Sequence, residues 1–121
     1  MKTLAAILLL FCITSPAAAI DMSTGFTGAV ALQECELAAA PNNNMTSMEI
    51  VHAAHCLGYV RGFADIFPLI KRGQIACIPE SVDASQLSRV FVKFLKNHPE
   101  RLHQPASLLL ADCLFRAFPC Q

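Results

Sequence analysis

The chain contains 121 residues, with nine basic and nine acidic side chains and 55% hydrophobic residues. General nucleic-acid binding draws its affinity from clustered positive charge. The balanced charge of this sequence therefore argues against nucleic acid as a partner, and also against a polybasic membrane anchor. A chain of this length has room for one domain with a modest hydrophobic core, a size at which covalent cross-links add useful stability.

The first nineteen residues have the composition of a secretory signal peptide. Lys2 supplies positive charge, an apolar run follows at residues 4–13, and three alanines ending at Ala19 provide the small residues that signal peptidase requires. The run of about ten apolar residues is too short to cross a bilayer, which takes about twenty. We predict cleavage after Ala19 and export of residues 20–121 as a single helical domain that does not span a membrane.

The cysteine content indicates an oxidising compartment outside the cytoplasm. Cys12 leaves with the predicted signal peptide, and five cysteines remain in the exported chain. Because the sequence lacks the C-x-x-C spacing of metal sites, we expect these cysteines to form disulfides. Five is an odd number, so one thiol is either free or paired between chains. The five are Cys35, Cys56, Cys77, Cys113 and Cys120.

Apolar periodicity predicts two helices in the first half of the exported chain. The first covers residues 27–39, and the second begins at a capping box in which Thr46 and Glu49 each satisfy a free backbone N–H. Gly58 and Gly62 lie one turn apart on the second helix, and each costs about 1 kcal/mol relative to alanine. We expect another helix to pack closely on these glycines, because such packing would compensate for their cost.

Two further helices are predicted after an extended segment at residues 74–82, which Cys77 pins in place. Asp83 caps the third helix, whose apolar residues recur at the spacings of one helical face and which stops before Pro99. A single turn follows, and Pro105 begins the last helix, which continues almost to the end of the chain. The predicted fold class is all-α, a compact bundle of four main helices with disulfide cross-links.

The residue patterns do not predict catalysis or metal binding. No paired-carboxylate, nucleophile-elbow or phosphate-loop pattern occurs in the sequence. His52 and Cys56 have a spacing found in zinc sites, with Glu49 and His55 nearby, but the cluster mixes helix faces and Cys56 is needed for a disulfide. Cys113 lies in an apolar stretch, which raises the pKa of a thiol and makes it a poor nucleophile. We predict no metal, no cofactor and no enzymatic activity.

Two neighbouring features are candidates for partner binding. Residues 97–104 collect charged and polar side chains between prolines, which stiffen a loop and lower the entropy lost on binding. The third helix has a basic outer side, which is either a solvated face or a contact surface for an acidic partner. The candidate partner-binding residues are His98, Glu100, Arg101, His103, Gln104, Arg89, Lys93 and Lys96.

A series of short motifs, taken in chain order, resembles a known family. The motifs are Cys56-Leu57-Gly58-Tyr59-Val60-Arg61-Gly62, Ala76-Cys77-Ile78-Pro79, Ser85-Gln86-Leu87, Phe94-Leu95, His98-Pro99-Glu100, Leu102-His103, Pro105-Ala106 and Ala117-Phe118-Pro119-Cys120. Together they cover roughly residues 35–120 and resemble the Rap/Tai family of immunity proteins associated with type VI secretion. Cys113 is extra to the cysteine pattern of that family.

The resemblance implies a helical protein of the bacterial periplasm, often a homodimer, that neutralises a peptidoglycan amidase effector. Such effectors are similar to cysteine-nucleophile hydrolases that cut the peptide stems of the cell wall. The immunity protein acts by occluding the catalytic cleft, so hydrolysis is the chemistry of its partner. This implication fits a sequence in which no catalytic constellation occurs.

The predicted helices and the family pattern together suggest a role for each cysteine. A bond between Cys35 and Cys56 would join the first two helices, and a bond between Cys77 and Cys120 would tie the chain end to the extended segment. Cys113 is then a buried, unpaired thiol, because in a continuous helix it would lie about 10 Å from Cys120, too far for a disulfide.

A different function suits the same small, helical, disulfide-linked chain equally well. The alternative is a small periplasmic stress or acid chaperone without a cognate toxin. A light-scattering assay of an aggregating client protein at roughly pH 2 to 3 would separate the two hypotheses, because only the chaperone would protect the client there.

Overall fold

The computed structural model describes residues 25–70 and 76–121. The predicted signal peptide and the basic residues 71–72 lie outside these ranges. Four helices form the described chain: α1 (Gly28–Ala39), α2 (Ser47–Ala64), α3 (Ala84–Asn97) and α4 (Ala106–Ala117). Short 3₁₀ turns at Phe67–Leu69 and Pro99–Arg101 follow α2 and α3, and the described residues contain no β-strand. The prediction of an all-α protein with four main helices is confirmed.

Side-chain caps fix the starts of the first three helices. The capping box of α2 is complete: Thr46 N–H donates to the carboxylate of Glu49 at 2.7 Å, and Thr46 Oγ1 accepts from the Glu49 N–H at 3.3 Å. Asp83 accepts from the N–H of Gln86 at 2.7 Å at the start of α3, and Thr27 caps α1. Each such cap typically contributes about 1 kcal/mol, so local sequence largely decides where these helices begin.

The core forms where α1 packs against α2 and α3, and where α4 packs against α3. On α3, the apolar residues Leu87, Phe91 and Leu95 recur every four positions and are fully buried. Burial of one such side chain is worth about 1.5–3 kcal/mol, so this stripe is a main source of stability. No helix in the described part of the chain has both the length and the apolar character needed to cross a membrane.

Two disulfides cross-link the bundle, and they are the pairs expected from the sequence. Cys35–Cys56 joins α1 to α2 across the intervening loop, with a sequence separation of 21. Cys77–Cys120 joins the segment before α3 to the end of the chain, with a separation of 43. Bonds that close loops of this size restrict the unfolded chain and thereby stabilise the fold.

The outer face of α2 is not covered by another helix, contrary to what the glycines in the sequence led us to expect. Gly58 and Gly62 are both exposed, and a Cβ atom placed on either would meet no atom within 4 Å. The predicted close packing of another helix on these glycines is therefore wrong for the described part of the chain. Their cost in helix stability is not compensated by any contact that this part of the chain makes.

Candidate partner-binding surface

Residues 98–105 form the α3–α4 loop, which contains five of the eight candidate partner-binding residues. Backbone hydrogen bonds hold the loop against the start of α1. The N–H of Gly28 donates to the carbonyl of Gln104, and the N–H of Ala29 donates to the carbonyl of Leu102, both at 2.9 Å. These two N–H groups belong to the first turn of α1, where a helix offers donors without partners in its own backbone. The loop is therefore a fixed part of the bundle.

Close packing explains why α1 begins with glycine. A Cβ atom on Gly28 would lie 2.4 Å from the side chain of Leu109 and 3.2 Å from the backbone of Leu102. Both distances are shorter than the roughly 3.5–4.0 Å of ordinary carbon contacts. Glycine thus lets the α3–α4 loop approach α1 closely. The sequence does not reveal this role of Gly28, because a single glycine before an apolar run does not indicate what packs against it.

Arg101 fixes the loop from the side of α4. Its guanidinium donates to Asp112 at 2.6 Å and to the side-chain oxygen of Gln104 at 3.2 Å, while Arg116 donates to the other carboxylate oxygen of Asp112 at 2.7 Å. The hydrogen bonds from Arg116 and then Arg101 hold the pKa of the Asp112 carboxyl below its usual value. Arg101 and Gln104, predicted as partner contacts, have this internal role in the structure.

His98 also has internal partners. Its Nδ1 lies 2.8 Å from the carbonyl oxygen of Phe94, a geometry that requires the proton on that nitrogen. The imidazole stacks on the Phe94 ring with centroids 4.3 Å apart, and the Arg101 guanidinium lies 5.8 Å from the same ring centroid. These contacts fix the orientation of His98, the first residue of the loop.

Three of the predicted partner-binding side chains are exposed and have no partner among the described residues: Lys93, Glu100 and His103. The other two basic residues of α3 are engaged on the surface. Arg89 donates to a serine one turn earlier at 2.9 Å, and Lys96 pairs with a glutamate of α1 at 2.7 Å. Fewer side chains are thus available to a partner than the sequence predicted: Glu100 and His103 lie in the α3–α4 loop, and Lys93 lies on α3 before it.

A shallow groove of about 200 Å³ lies between α3 and α4, at the α3 end of the loop. Its lining combines the apolar side chains of Val90, Phe94 and Cys113 with the positive charges of Lys93 and Arg116. An apolar surface with a basic rim is suited to a partner segment that carries an apolar side chain next to an acidic one.

The thiol of Cys113 in this groove is not placed as a nucleophile. It is 2% exposed, and its Sγ lies 3.8 Å from the carbonyl oxygen of Val90. Burial, with a smaller contribution from the negative charge of Asp112, raises the pKa of the Cys113 thiol to about 12. The thiol therefore stays protonated at physiological pH, whereas a cysteine nucleophile has to be a thiolate.

A second cleft, of about 410 Å³, lies at the α4 end of the loop. Phe26, Tyr59, His103 and Ser107 line it, and the rings of Phe26 and Tyr59 pack edge to face with centroids 4.8 Å apart. Burial raises the pKa of Tyr59, and a hydrogen bond to Ser107 opposes this shift. Aromatic walls beside the exposed imidazole of His103 are suited to an apolar or aromatic side chain of a protein partner.

The histidines considered for a metal site contact a carboxylate instead. Nδ1 of His52 and Nδ1 of His55 lie 2.9 and 2.5 Å from the two carboxylate oxygens of Glu34, whose side chain is only 12% exposed. Within the two described ranges, no group of three or more possible metal-binding side chains occurs. Glu34 was not predicted as a functional residue, although a carboxylate beside Cys35 on the inner stripe of α1 needs polar partners.

A comparison with known families decides what kind of protein carries this surface. The family model of the Rap1a immunity proteins matches residues 27–120. The chain belongs to the Rap1a immunity protein family. The match spans all four helices, both disulfides and the α3–α4 loop, and it confirms the resemblance to Rap/Tai immunity proteins. No curated protein matches the chain.

Membership of the Rap1a immunity family implies that this chain binds a cognate effector. The geometry of this Rap1a immunity protein is suited to binding: a braced loop stands between a basic-rimmed groove and an aromatic cleft. Three side chains that have no partner in residues 25–70 and 76–121 are distributed along these features: Lys93, Glu100 and His103. The groove and the cleft each include a residue of the α3–α4 loop in their lining, so a partner protein that contacts the loop can reach either of them.

Proposed function

We propose that this Rap1a immunity protein inhibits a peptidoglycan amidase effector of type VI secretion by binding to it and covering its catalytic cleft. The observation that carries the proposal is the α3–α4 loop, whose backbone is hydrogen-bonded to α1 while Glu100 and His103 have no partner among the described residues. Such a loop is ordered before binding and loses little further entropy in the complex. A protein that occludes a cleft needs this combination of a fixed backbone and free side chains.

The charges around the loop define the surface that the effector must present. Lys93 and Arg116 place positive charge on the rim of the groove, although Arg116 shares its charge with Asp112. We expect an acidic segment of the amidase, next to its cleft, to contact this rim. The aromatic cleft around Phe26 and Tyr59 would receive an apolar side chain from the same partner.

We further propose that the protein acts in the periplasm, as a homodimer. Cleavage after Ala19 delivers residues 20–121 to the periplasm as one domain, and the two disulfides form in that oxidising compartment. The protein has no enzymatic activity of its own, and it acts as a homodimer.

The direct test mixes the purified protein with a panel of type VI amidases and measures peptidoglycan hydrolysis. We expect near-stoichiometric inhibition of at least one amidase and a complex of the two proteins on gel filtration. If every amidase in the panel keeps its activity with excess protein present, the proposed function is wrong.

A charge reversal with a matched control locates the contact surface. Lys93→Glu places a carboxylate on the groove rim, and we expect inhibition to weaken about tenfold or more because like charges would then meet across the interface. Lys96→Glu makes the same charge change on the same helix, but Lys96 does not line the groove and pairs with Glu36 of α1. Equal losses of inhibition in the two variants would contradict the placement of the effector on the groove.

A further inference from the structure

We infer that Glu34 is a positioning residue for the aromatic cleft, because through His55 it fixes the wall that Phe26 and Tyr59 form. The inference rests on the proposed function, which places an apolar side chain of the effector in this cleft. Glu34 lies on α1 and does not line the cleft. Its influence on effector binding is therefore exerted through other side chains.

The carboxylate of Glu34 orients two imidazoles. Among residues 25–70 and 76–121, Glu34 is the only charged residue that is buried, and burial of a carboxylate costs free energy that its hydrogen bonds have to offset. Each carboxylate oxygen contacts one imidazole, Nδ1 of His52 at 2.9 Å and Nδ1 of His55 at 2.5 Å. An ionised carboxylate only accepts hydrogen bonds, so both Nδ1 atoms donate and both rings have a set orientation.

These hydrogen bonds are not needed to join α1 to α2. The disulfide Cys35–Cys56 already links the two helices, and Glu34 and His55 are the residues directly before its two cysteines. Replacement of a buried charged group by an apolar one is often neutral or stabilising. What the carboxylate adds at this position is therefore the orientation of the imidazoles.

The imidazole of His55 connects Glu34 to the cleft wall. The side chain of His55 is 53% exposed, so burial does not fix its orientation. Its ring packs edge to face on Phe26 with centroids 5.0 Å apart, and its centroid lies 6.4 Å from that of Tyr59. The hydrogen bond to Glu34 thus holds the imidazole in place against Phe26.

The ring of Phe26 depends on its neighbouring rings. It packs edge to face against both His55 and Tyr59, at interplanar angles of 74° and 67°. The start of α4 fixes the rest of the wall, since the Phe26 carbonyl accepts the N–H of Ala106 at 2.8 Å and Tyr59 hydrogen-bonds to Ser107. Loss of the His55 contact would free the Phe26 ring, and a mobile ring has to be ordered again when a partner binds.

The first measurement needs no effector. The chain contains one tyrosine and no tryptophan, so its fluorescence reports on Tyr59 alone. Glu34→Met removes the carboxylate while Cys35–Cys56 still joins the helices, so the bundle should stay folded. We expect acrylamide to quench Tyr59 more strongly in this variant than in wild type, because the wall is less closely packed. Equal quenching in the two folded proteins would overturn the inference.

The second measurement is the affinity for an amidase that the wild-type protein inhibits. Glu34→Met and His55→Ala should each weaken binding about two- to tenfold, the cost of ordering a side chain again in the complex. His52→Ala is the matched control, because His52 also contacts Glu34 but does not line the cleft or provide a ring that packs on Phe26. It should leave the affinity unchanged.

A double variant shows whether Glu34 acts through His55. Glu34→Met combined with His55→Ala should bind no more weakly than His55→Ala alone, because both single changes remove the same contact. Additive losses, or equal losses in His52→Ala and His55→Ala, contradict the inference. If no amidase is inhibited, the proposed function fails, and the quenching of Tyr59 still decides the role of Glu34. If Glu34→Met does not fold, His55→Ala serves for the same quenching measurement.

Discussion

Replacing Gly28 with alanine should destabilise the bundle at the point where the α3–α4 loop meets α1. The added methyl group would lie 2.4 Å from Leu109 Cδ1 and 3.2 Å from backbone atoms of Leu102. Leu109 is fully buried, so moving its side chain away from the methyl group would require its core neighbours to repack. Overpacking of this kind typically costs about 1–3 kcal/mol, whereas the better helix propensity of alanine returns at most about 1 kcal/mol. We expect a net loss of roughly 1–2 kcal/mol in the free energy of unfolding.

The matched control is Gly58→Ala, which makes the same chemical change at an exposed position with no atom within 4 Å. Both substitutions restrict the unfolded chain alike, so the difference between them reports the contact in the folded state. Gly58→Ala should gain up to about 1 kcal/mol from helix propensity. Urea unfolding followed by circular dichroism measures both variants, with the disulfides intact and at low protein concentration so that association does not contribute.

Gly28→Ala should also inhibit the effector less strongly than the wild-type protein does. The methyl group displaces the loop backbone, so the affinity for the proposed amidase partner should fall although Lys93, Glu100 and His103 are unchanged. If Gly28→Ala unfolds at the same urea concentration as wild type, or at a higher one, the close approach of the loop to α1 does not require glycine. Inhibition equal to that of wild type by a clearly destabilised variant would show that the position of the loop does not govern binding.

Three further predictions concern cross-links and titrating groups. Replacing Cys77 and Cys120 together by serine should lower stability by about 4 kcal/mol, since the bridge closes a loop with a sequence separation of 43, as measured by urea unfolding. Asp112→Asn should destabilise the protein at neutral pH. Because the folded-state pKa of Asp112 is lowered, its contribution is present above the ordinary pKa of an aspartate and is lost as pH falls through the lowered value. Urea unfolding of variant and wild type should therefore converge in acid. Iodoacetamide should not modify Cys113 in the folded protein and should modify it readily in urea, as mass spectrometry would show.

The parts of the fold that the sequence predicts well depend on interactions between near neighbours. The cap at Thr46 and the cap at Asp83 each involve a residue three positions further on, so the short pattern contains both partners. The buried stripe of α3 is likewise visible, because helical spacing places Leu87, Phe91 and Leu95 on one side. In each case the physical cause lies within one or two helical turns.

The candidate surface was harder to predict, because its internal partners are distant in sequence. Arg101 and His98 have the polarity of contact residues, and the sequence does not show that Asp112 and the Phe94 carbonyl already engage them. The interaction of Glu34 with His55 crosses from α1 to α2. A charged residue in a loop indicates that a polar partner exists, but only the fold shows whether that partner is internal or belongs to another protein.

The distinction between side chains with internal partners and side chains without them bears on how such a protein can acquire specificity for a different effector. Glu100 and His103 are exposed and make no hydrogen bond or ion pair with the described residues, so their replacement should alter affinity with little change in stability. Replacement of Arg101 or Asp112 should lower affinity and stability together, because it releases the loop from α4. A new effector specificity can therefore arise from the free side chains alone, while the disulfides and the hydrogen bonds to α1 keep the loop ordered. Loss of affinity without loss of stability thus separates a contact residue from a positioning residue.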